Sequence, residues 1–422
     1  MTAKRWLNVA ARIFLSLGLL YSIYLVATRS IAQWYFRQPP PEGVRKAIEW
    51  DPGNPMYYAA LARVLERSPE GADLNEVIRL HEKATQLSPR RARYWAELGG
   101  AYELAGQLED ARLAYERAQQ LFPNSPKINW QLGNFYIREG KIREALQAFQ
   151  KVLLGDPGLR RQAFDLAWRA GADADLILEE MIPPQMDILF QYLEYLTQKQ
   201  RIEEAEQTWA RILEHQLPFE PRAAFPYLDG LIRNQRVDGL TAAWATLAER
   251  NPTRIRQRRF DPSLIFNGGF ESVILNGGLG WRVTPIEGVV VSVDSLTFFD
   301  GTRSLKFRFD GQHNVNYHHV LQYVPVKPDT HYRFMGYMRA QEITTASGPR
   351  FEVYDAYDPK SLFLLTENLV GSSSWSPQHL EFETGRDTRL LIIRVARPPS
   401  RKFDNQIAGT VWIDRLSLTP VE

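Results

Sequence analysis

Three hydrophobic patterns follow one another along the chain. From Ile13 to Thr28 no residue is charged; Lys4, Arg5 and Arg12 precede the run and Arg29 ends it. From about residue 43 to 255, apolar residues recur at the three-to-four spacing that collects them on one helix face, with prolines at intervals. Helical spacing stops at Asp261. Beyond it, short runs alternate apolar and polar residues between glycine, asparagine and proline turns, which is strand patterning. These patterns predict one long apolar helix, then helical hairpins, then a β-sandwich.

The helical part contains a register. Trp95, Leu98, Gly99, Tyr102, Ala111, Tyr115, Ala118 and Pro123 recur 34 positions later as Asn129, Leu132, Gly133, Tyr136, Ala145, Phe149, Val152 and Pro157. Gly99 and Gly133 let two helices approach closely, Ala111 and Ala145 do so from the second helix, and Tyr115 and Phe149 fill the space between. Proline cannot continue a helix, so Pro123 and Pro157 close each unit. This wording resembles the tetratricopeptide repeat (TPR). Weaker copies extend both ways. Tyr58, Leu61, Ala62, Val77, Ala84 and Pro89 form one. Phe164, Trp168, Leu176 and Ile182 form a shortened pair of helices ended by Pro183 and Pro184. Tyr192, Leu196, Ala205, Trp209 and Pro218, then Tyr227, Leu231, Trp244 and Pro252, return to the spacing. The expectation is a solenoid over 43–255 with five or six units, in which Tyr115, Phe149, Trp209 and Trp244 are packing aromatics. The resemblance places Lys127, Trp130, Asn134 and Arg138 on the concave wall, with Arg93, Ala96 and Glu103, as a groove for a protein partner. Asn134 occupies one position of the family's carboxylate clamp, but Trp130 stands where that clamp has a lysine.

The N-terminal run is long enough to cross a hydrocarbon core of roughly 20 apolar residues, with terminal arginines able to snorkel. Trp6, Trp34 and Tyr35 suit the two interfaces, and the positive charge before the run favours a cytoplasmic N-terminus. A cleaved signal peptide with Ser30-Ile31-Ala32 as its site, or a buried helix, are the rival readings. An anchor implies a single-pass protein of the inner or plasma membrane with its C-terminal domains extracytoplasmic, periplasmic in a Gram-negative cell. Pro39, Pro40 and Pro41 read as a stiff spacer. Arg254, Arg256, Arg258 and Arg259 form a basic run, read as a solvated face or as a contact for anionic lipid or polysaccharide.

Strands are predicted at 289–294, 304–309, 320–326, 331–340, 350–356, 379–383, 389–397 and 410–418, and about eight strands over this length argue for a two-sheet sandwich. Asn267-Gly268-Gly269-Phe270-Glu271, Gly280-Trp281, Asp300 to Leu305, Pro328 to Tyr332 and Trp412-Ile413-Asp414 occur in one order. That order resembles the galactose-binding-like jelly rolls, especially carbohydrate-binding modules of the xylan- and glucan-binding type. The resemblance implies a structural Ca²⁺ near the chain ends, with ligands mapping to Glu271, Asp300 and Asp414; oxygen ligands suit this hard cation. The bland reading gives these residues to turns, caps or a pair with Arg303. The resemblance also implies a sugar platform of aromatic and polar side chains, for which Tyr317, Tyr323, Arg333, Tyr337, Arg339, Glu352, Tyr354 and Trp375 are the candidates. Trp281 and Trp412 are assigned to packing.

Charge and composition narrow the function. Basic and acidic side chains number 51 and 49, a formal charge of +2, which gives no reason to expect nucleic acid. Without cysteine there is no disulfide, thiol catalysis or thiolate metal site. The nucleophile-elbow, P-loop and dinucleotide motifs are absent from the sequence. His318-His319 lacks the spacing of a helical metal pair, and whether Glu352, Asp355 and Asp358 include a glycosidase pair depends on their separation. The expectation is a multidomain chain: cytoplasmic tip and transmembrane helix (1–38), Pro-rich spacer (39–42), all-α TPR solenoid (43–255) and all-β jelly-roll sandwich (256–422). Its function reads as a non-catalytic, membrane-anchored scaffold of the cell envelope, binding protein through the solenoid and glycan through the jelly roll, in polysaccharide assembly or export. The alternatives are an assembly factor whose sandwich binds protein, and an envelope glycan-processing enzyme.

Overall fold

The structure is a computed structural model that describes residues 2–421 apart from 69, 70, 72, 216, 254 and 256–262. The basic run at Arg254, Arg256, Arg258 and Arg259 and the expected domain start at 256 lie outside the described residues. The chain divides into two compact units, Met1–Leu189 and Phe190–Glu422.

The first unit is helical. The helices are α1 (Thr2–Phe36), α2 (Glu42–Trp50), α3 (Pro55–Glu66), α4 (Leu74–Leu87), α5 (Ala92–Leu104), α6 (Leu108–Leu121), α7 (Pro126–Arg138), α8 (Ile142–Gly155), α9 (Arg160–Arg169) and the short α10 (Ala174–Leu176), which runs on into a π turn, Ile177–Met181. Their starts are written locally: Asn54 and Ser125 cap α3 and α7 by accepting from Met56 N and Ile128 N, each followed by proline at the first helical position. Within successive hairpins the tight turn needs one left-handed residue, supplied by Gly106, Gly140 and Gly171 here and by Gln200 and Gln235 further on.

The repeat glycines do what their spacing implies. A Cβ on Gly99 would lie 2.9 Å from the Tyr115 ring, and one on Gly133 would lie 2.6 Å from Phe149. The aromatic position opening each unit has a further role. Tyr58 Oη donates to Pro52 O, Trp95 Nε1 to Pro89 O and Asn129 Nδ2 to Pro123 O. Each donor closes onto the prolyl carbonyl six residues back, so Asn129, fully buried, replaces tryptophan by reaching the same acceptor.

Prolines 39–41 are not the extended spacer expected. They form a turn in which Gly43 N donates to Pro39 O, and a Cβ on Gly43 would meet Tyr35 O at 2.6 Å. The turn folds α2 back on the end of α1, where Ala32 is buried with Val44, Ala47, Tyr57 and Leu61. The end of α1 is therefore part of the first helical packing layer, while every residue from Arg12 to Tyr24 is exposed. Arg12–Phe36 is long and apolar enough to cross a membrane.

The second unit combines helices and sheets. It begins within α11 (Met186–Gln198) and continues through α12 (Ile202–Glu214), α13 (Phe225–Arg233) and α14 (Val237–Arg250). Ten strands are seen among the described residues: β1 (Arg282–Val283), β2 (Val289–Asp294), β3 (Ser304–Asp310), β4 (Tyr317–Pro325), β5 (His331–Ile343), β6 (Arg350–Asp355), β7 (Phe363–Leu365), β8 (Gly371–Glu383), β9 (Leu390–Arg397) and β10 (Ala408–Pro420). They form two five-stranded antiparallel sheets, β1-β4-β9-β6-β7 and β2-β3-β10-β5-β8. Eight strands were predicted; β1 and β7 are too short to leave a periodic signal.

The core lies between the sheets. Leu305, Phe307, Phe334, Phe351, Ile393 and Ile413 are all fully buried there. The helices do not stop short of it. Gly277 and Gly278 pack against α13 and α14, where a Cβ would meet the Phe225 ring at 2.3 Å and the Trp244 ring at 2.4 Å. Trp244 also packs edge-on against Phe266, centroids 5.5 Å apart. Through these contacts α13 and α14 pack with the sandwich inside the compact unit Phe190–Glu422.

Candidate functional site

The eight sugar-site candidates do not share a face. Tyr323, Glu352 and Tyr354 lie on the outer face of the β1-β4-β9-β6-β7 sheet. Cross-strand register sets Tyr323 beside Ile392, Ile392 beside Tyr354, and Arg394 beside Glu352. Arg394 Nε donates to Glu352 Oε2 at 2.6 Å, and its guanidinium lies 4.8 Å from the Tyr354 ring centre. Both are charge-stabilised contacts in a place where Glu352 is only 8% exposed. Burial, helped by Glu352 and Tyr323 and opposed by Arg394, pushes the Tyr354 phenol up. Phe363 extends the face from β7, 5.7 Å from Tyr354 and half exposed. Arg282 closes the other side, 5.1 Å over the Tyr323 ring and donating to Asp229 of α13. Tyr357 Oη donates to Ile232 O, so α13 covers one end of this face, and Leu390 beneath is fully buried.

Arg333, Tyr337, Arg339 and Trp375 lie on the outer face of the other sheet. Arg333 Nε donates to Glu381 at 2.7 Å. Tyr337 stacks on Phe299, centroids 3.7 Å apart, and Trp375 lies 5.9 Å from Phe299. Trp412 sits between Arg339 and Lys306, at 5.5 and 5.4 Å from its ring centre, with Nε1 donating to Asp294; its assignment to packing stands, since it is 5% exposed. Burial pushes Asp294 up, but the bonds from Trp412 and the Leu296 and Thr297 amides, with Lys306 nearby, outweigh it and hold the carboxyl below its usual range.

Tyr317 belongs to neither face. It is 1% exposed and packs edge-on against Phe307 and Phe309. The reason is a register shift between Tyr317 and Val320, which turns both side chains inward although they are three residues apart. Alternation read from the sequence cannot register such a bulge. Nor can it tell which strands join which sheet, which is why three platform candidates fell on one face and four on the other. Arg282, Arg394 and Phe299 were missed. The visible signal for Arg394 was an arginine interrupting the apolar run of β9.

The residues implied as calcium ligands are brought to one edge, at the loop before β3. Glu271 accepts from Thr302 N, Thr302 Oγ1 and Arg303 N. Asp414, fully buried, accepts from Phe299 N and Asp300 N on one oxygen and from Arg415 N on the other. The Asp300 carboxylate lies 3.9 Å from Arg415 Nε. Burial pushes the Asp414 carboxyl up, the three amide bonds pulling against it. Among the described residues no three acidic or histidine side chains gather in one group. The hydrogen bonds that reach Glu271 and Asp414 come from N–H and O–H donors of the loop before β3 and of Arg415, the arrangement of a hydrogen-bonded staple.

On the solenoid, Lys127, Trp130, Asn134 and Arg138 share one side of α7, with Lys127 and Arg138 exposed. Trp130 packs on Phe149, centroids 5.6 Å apart; Asn134 Nδ2 donates to Trp130 O; Arg138 pairs with Glu103. Arg93 pairs with Glu97, while Ala96 is buried between repeats with Ala118 and Ile128 and is not part of the wall. The acid candidates are engaged in turns: Asp355 accepts from Tyr357 N and Asp358 N, Asp358 from Lys360 N, and Glu352 is held by Arg394. His318 and His319 stack at 4.4 Å.

Residues 104–166 match the tetratricopeptide repeat family model. No curated protein matches the chain. Among solved structures, the chain is similar to the enzymatically active domain of tailspike protein 4 of bacteriophage CBA120, at 13% identity and TM-score 0.28, over 38% of this chain and 22% of that one. It thus spans about a fifth of that protein's length. It is similar to YrrB, a TPR protein with an unusual peptide-binding site, at 16% identity and TM-score 0.26, over 50% of this chain and 93% of YrrB. It is similar to a family 16 carbohydrate-binding module at 21% identity and TM-score 0.26, over 38% of this chain and 99% of the module. The chain therefore carries a tetratricopeptide-repeat segment followed by an antiparallel β-sandwich.

Proposed function

We propose that the protein is a non-catalytic scaffold of the cell envelope. It is anchored in the inner or plasma membrane by α1, with the following domains outside the cytoplasm. The helical repeats hold a protein partner along the side of α7 that carries Lys127, Trp130, Asn134 and Arg138. The sandwich holds a glycan on the face carrying Tyr323, Glu352, Tyr354 and Arg394, in a setting of polysaccharide assembly or export. The observation that carries the glycan reading is the row Tyr323–Ile392–Tyr354 beside a half-exposed Phe363, with the Glu352–Arg394 pair next to it. Tyr354 and Ile392 are buried, so the surface open to sugar C–H groups is the half-buried Tyr323 and the half-exposed Phe363, and Arg394, held by Glu352, offers donors to hydroxyls beside them. Anchoring is supported by Ile13, Phe14, Leu15, Leu17, Leu19 and Leu20, all more than half exposed, an apolar surface that demands a cover.

A second reading has its own observation. One end of the same face is already covered by a helix, through Asp229–Arg282 and Ile232–Tyr357, which favours a sandwich that binds protein. Detergent-solubilised full-length protein on a glycan array separates the two. Binding that Tyr354→Ala weakens at least tenfold supports the glycan reading. No glycan bound, with a membrane partner retained on pull-down and lost in Tyr354→Ala, supports the protein reading.

A further inference from the structure

We propose that the outer face of the β2-β3-β10-β5-β8 sheet is a separate binding site for a carboxylate-bearing polysaccharide. Cross-strand register sets Lys306, Trp412 and Arg339 in one row, and Arg308, Thr410 and Gln341 in the next. Lys306 already faces Asp294 at 3.5 Å. Arg339 has the Trp412 ring as its partner, and among the described residues neither Arg339 nor Arg308 has a carboxylate partner. Arg308 is exposed and lines a hollow of about 410 Å³ with Val290, Gly288 and Asp310. Two guanidinium groups without anions on one flat face are set to take carboxylates by paired hydrogen bonds.

The same face carries rings. Phe299, 38% exposed, lies flat on Tyr337, and Trp375 stands beside it. Tyr337 and Gln341 are four residues apart on one strand, so the rings and the Arg308 row are separated by about 13 Å. That span is a short run of sugar units, stacked at one end and held by carboxylates at the other. Exposed neutral groups are available to hydroxyls, Ser292 in the Lys306 row and Gln341 in the Arg308 row. The occupant is an acidic sugar chain rather than nucleic acid because the cations are few and flanked by Asp294, Asp310 and Glu381, and the chain as a whole carries only +2. Nucleic acid is drawn to a broad basic field, which is missing here. This site is independent of the glycan face proposed above, since it lies on the opposite sheet.

The test uses full-length protein in detergent, titrated with a hexameric oligogalacturonate and with its methyl ester, which keeps the sugar and removes the charge. The expected result is binding of the acid form, at least tenfold weaker binding of the ester, and at least tenfold loss in Arg308→Gln and in Arg339→Gln. Trp375→Ala should lose at least fivefold. Arg308→Gln alone keeps the test sharp if Arg339→Gln disturbs Trp412, because Arg308 packs on no ring among the described residues; melting curves check that each variant is folded. Equal affinity for acid and ester, or indifference to Arg308→Gln and Trp375→Ala, overturns the proposal. So does failure to bind oligogalacturonate, or equal affinity for double-stranded DNA or phosphatidylglycerol vesicles through the same arginines.

Discussion

Asp229 of α13 and Arg282 of β1 meet at 2.5 Å, joining the last helical hairpin to the sandwich. The ion pair is not what holds them. Its side chains are 32% and 22% exposed, and pairs of this kind contribute about 0.2–1 kcal/mol. The packing of Gly278 contributes more. Its φ of +58° and the Trp244 ring at 2.4 Å leave no room for a side chain. Gly278→Ala should cost roughly 1–3 kcal/mol by overpacking, whereas Asp229→Ala should barely move the melting temperature. Circular dichroism at a helical and an aromatic wavelength checks this: one shared transition in the wild type should separate into two in Gly278→Ala. A larger loss in Asp229→Ala than in Gly278→Ala would reverse the assignment.

Two adjacent glycines in α5 should respond with opposite signs. A Cβ on Gly99 would lie 2.9 Å from the Tyr115 ring, whereas one on Gly100 would find only Tyr115 Oη at 3.5 Å. Gly99→Ala must push the ring aside and should cost roughly 1–3 kcal/mol. Gly100→Ala meets ordinary contact and removes a helix-interior glycine, so it should gain about 0.5–1 kcal/mol. Denaturant melts of the two variants settle the register; equal effects would mean that α5 and α6 do not meet at Gly99.

Much of this was legible in the sequence because the repeat is a local code. Gly99 and Gly133, with Tyr115 and Phe149, state a helix contact in one-dimensional spacing. Strand positions such as β2 at Val289–Asp294 were legible for the same reason. What could not be read was non-local. Tyr317 turned inward through a bulge, Arg333 and Tyr323 were sorted to opposite sheets, and Pro39 to Pro41 made a turn instead of a spacer. The seating of Gly277 and Gly278 on α13 and α14 depends on Phe225 and Trp244, far back in the chain and in a differently patterned segment.

Arg397 is a buried arginine with no carboxylate partner among the described residues, and burial pushes its guanidinium down from its ordinary value. It is held by hydrogen bonds alone. Nε donates to Ser347 O, Nη1 to Asn314 Oδ1 and Val315 O, and Nη2 to Thr345 Oγ1 and Asn405 O. These acceptors lie on three separate loops at one end of the sandwich. Arg397→Met should strand several buried acceptors at about 1–3 kcal/mol each, and Arg397→Lys should rescue only part of the loss, since an ammonium has three donors and no planar fork. Full rescue by lysine, read in chemical denaturation, would show that charge and not the fork matters.

Asp294 gives a dependence on pH. Its folded carboxyl is held below its usual range, so the stability it contributes is present above the unfolded value of about 3.9 and is lost as pH falls through the lower folded value. The difference in melting temperature between wild type and Asp294→Asn should therefore be level from neutral pH down to about 4 and shrink below it. A difference that grows on acidification would contradict the hydrogen bonds from Trp412, Leu296 and Thr297.

The edge formed by Glu271 and Asp414 separates an ion from a staple. The jelly-roll resemblance implies Ca²⁺ at this place, whereas the geometry gives the carboxylate oxygens to the amides of Phe299, Asp300, Thr302, Arg303 and Arg415. These bonds tie the segment after residue 263 and the last strand to one loop, which is the work an ion would do. A bound ion stabilises by mass action, about 2.7 kcal/mol at 100 times its dissociation constant, and its removal lowers the melting temperature. A staple of amide bonds does not respond to chelator. The expected outcome is that the chelator EGTA leaves the melting of the full chain unchanged and that no calcium co-purifies. Asp414→Ala, which removes the fully buried acceptor of the Phe299 and Asp300 amides, should cost roughly 1–3 kcal/mol with or without calcium. Asp414→Asn keeps one acceptor oxygen and should cost less. A fall in melting temperature with EGTA that calcium restores, and that Asp414→Ala abolishes, would return the site to the ion.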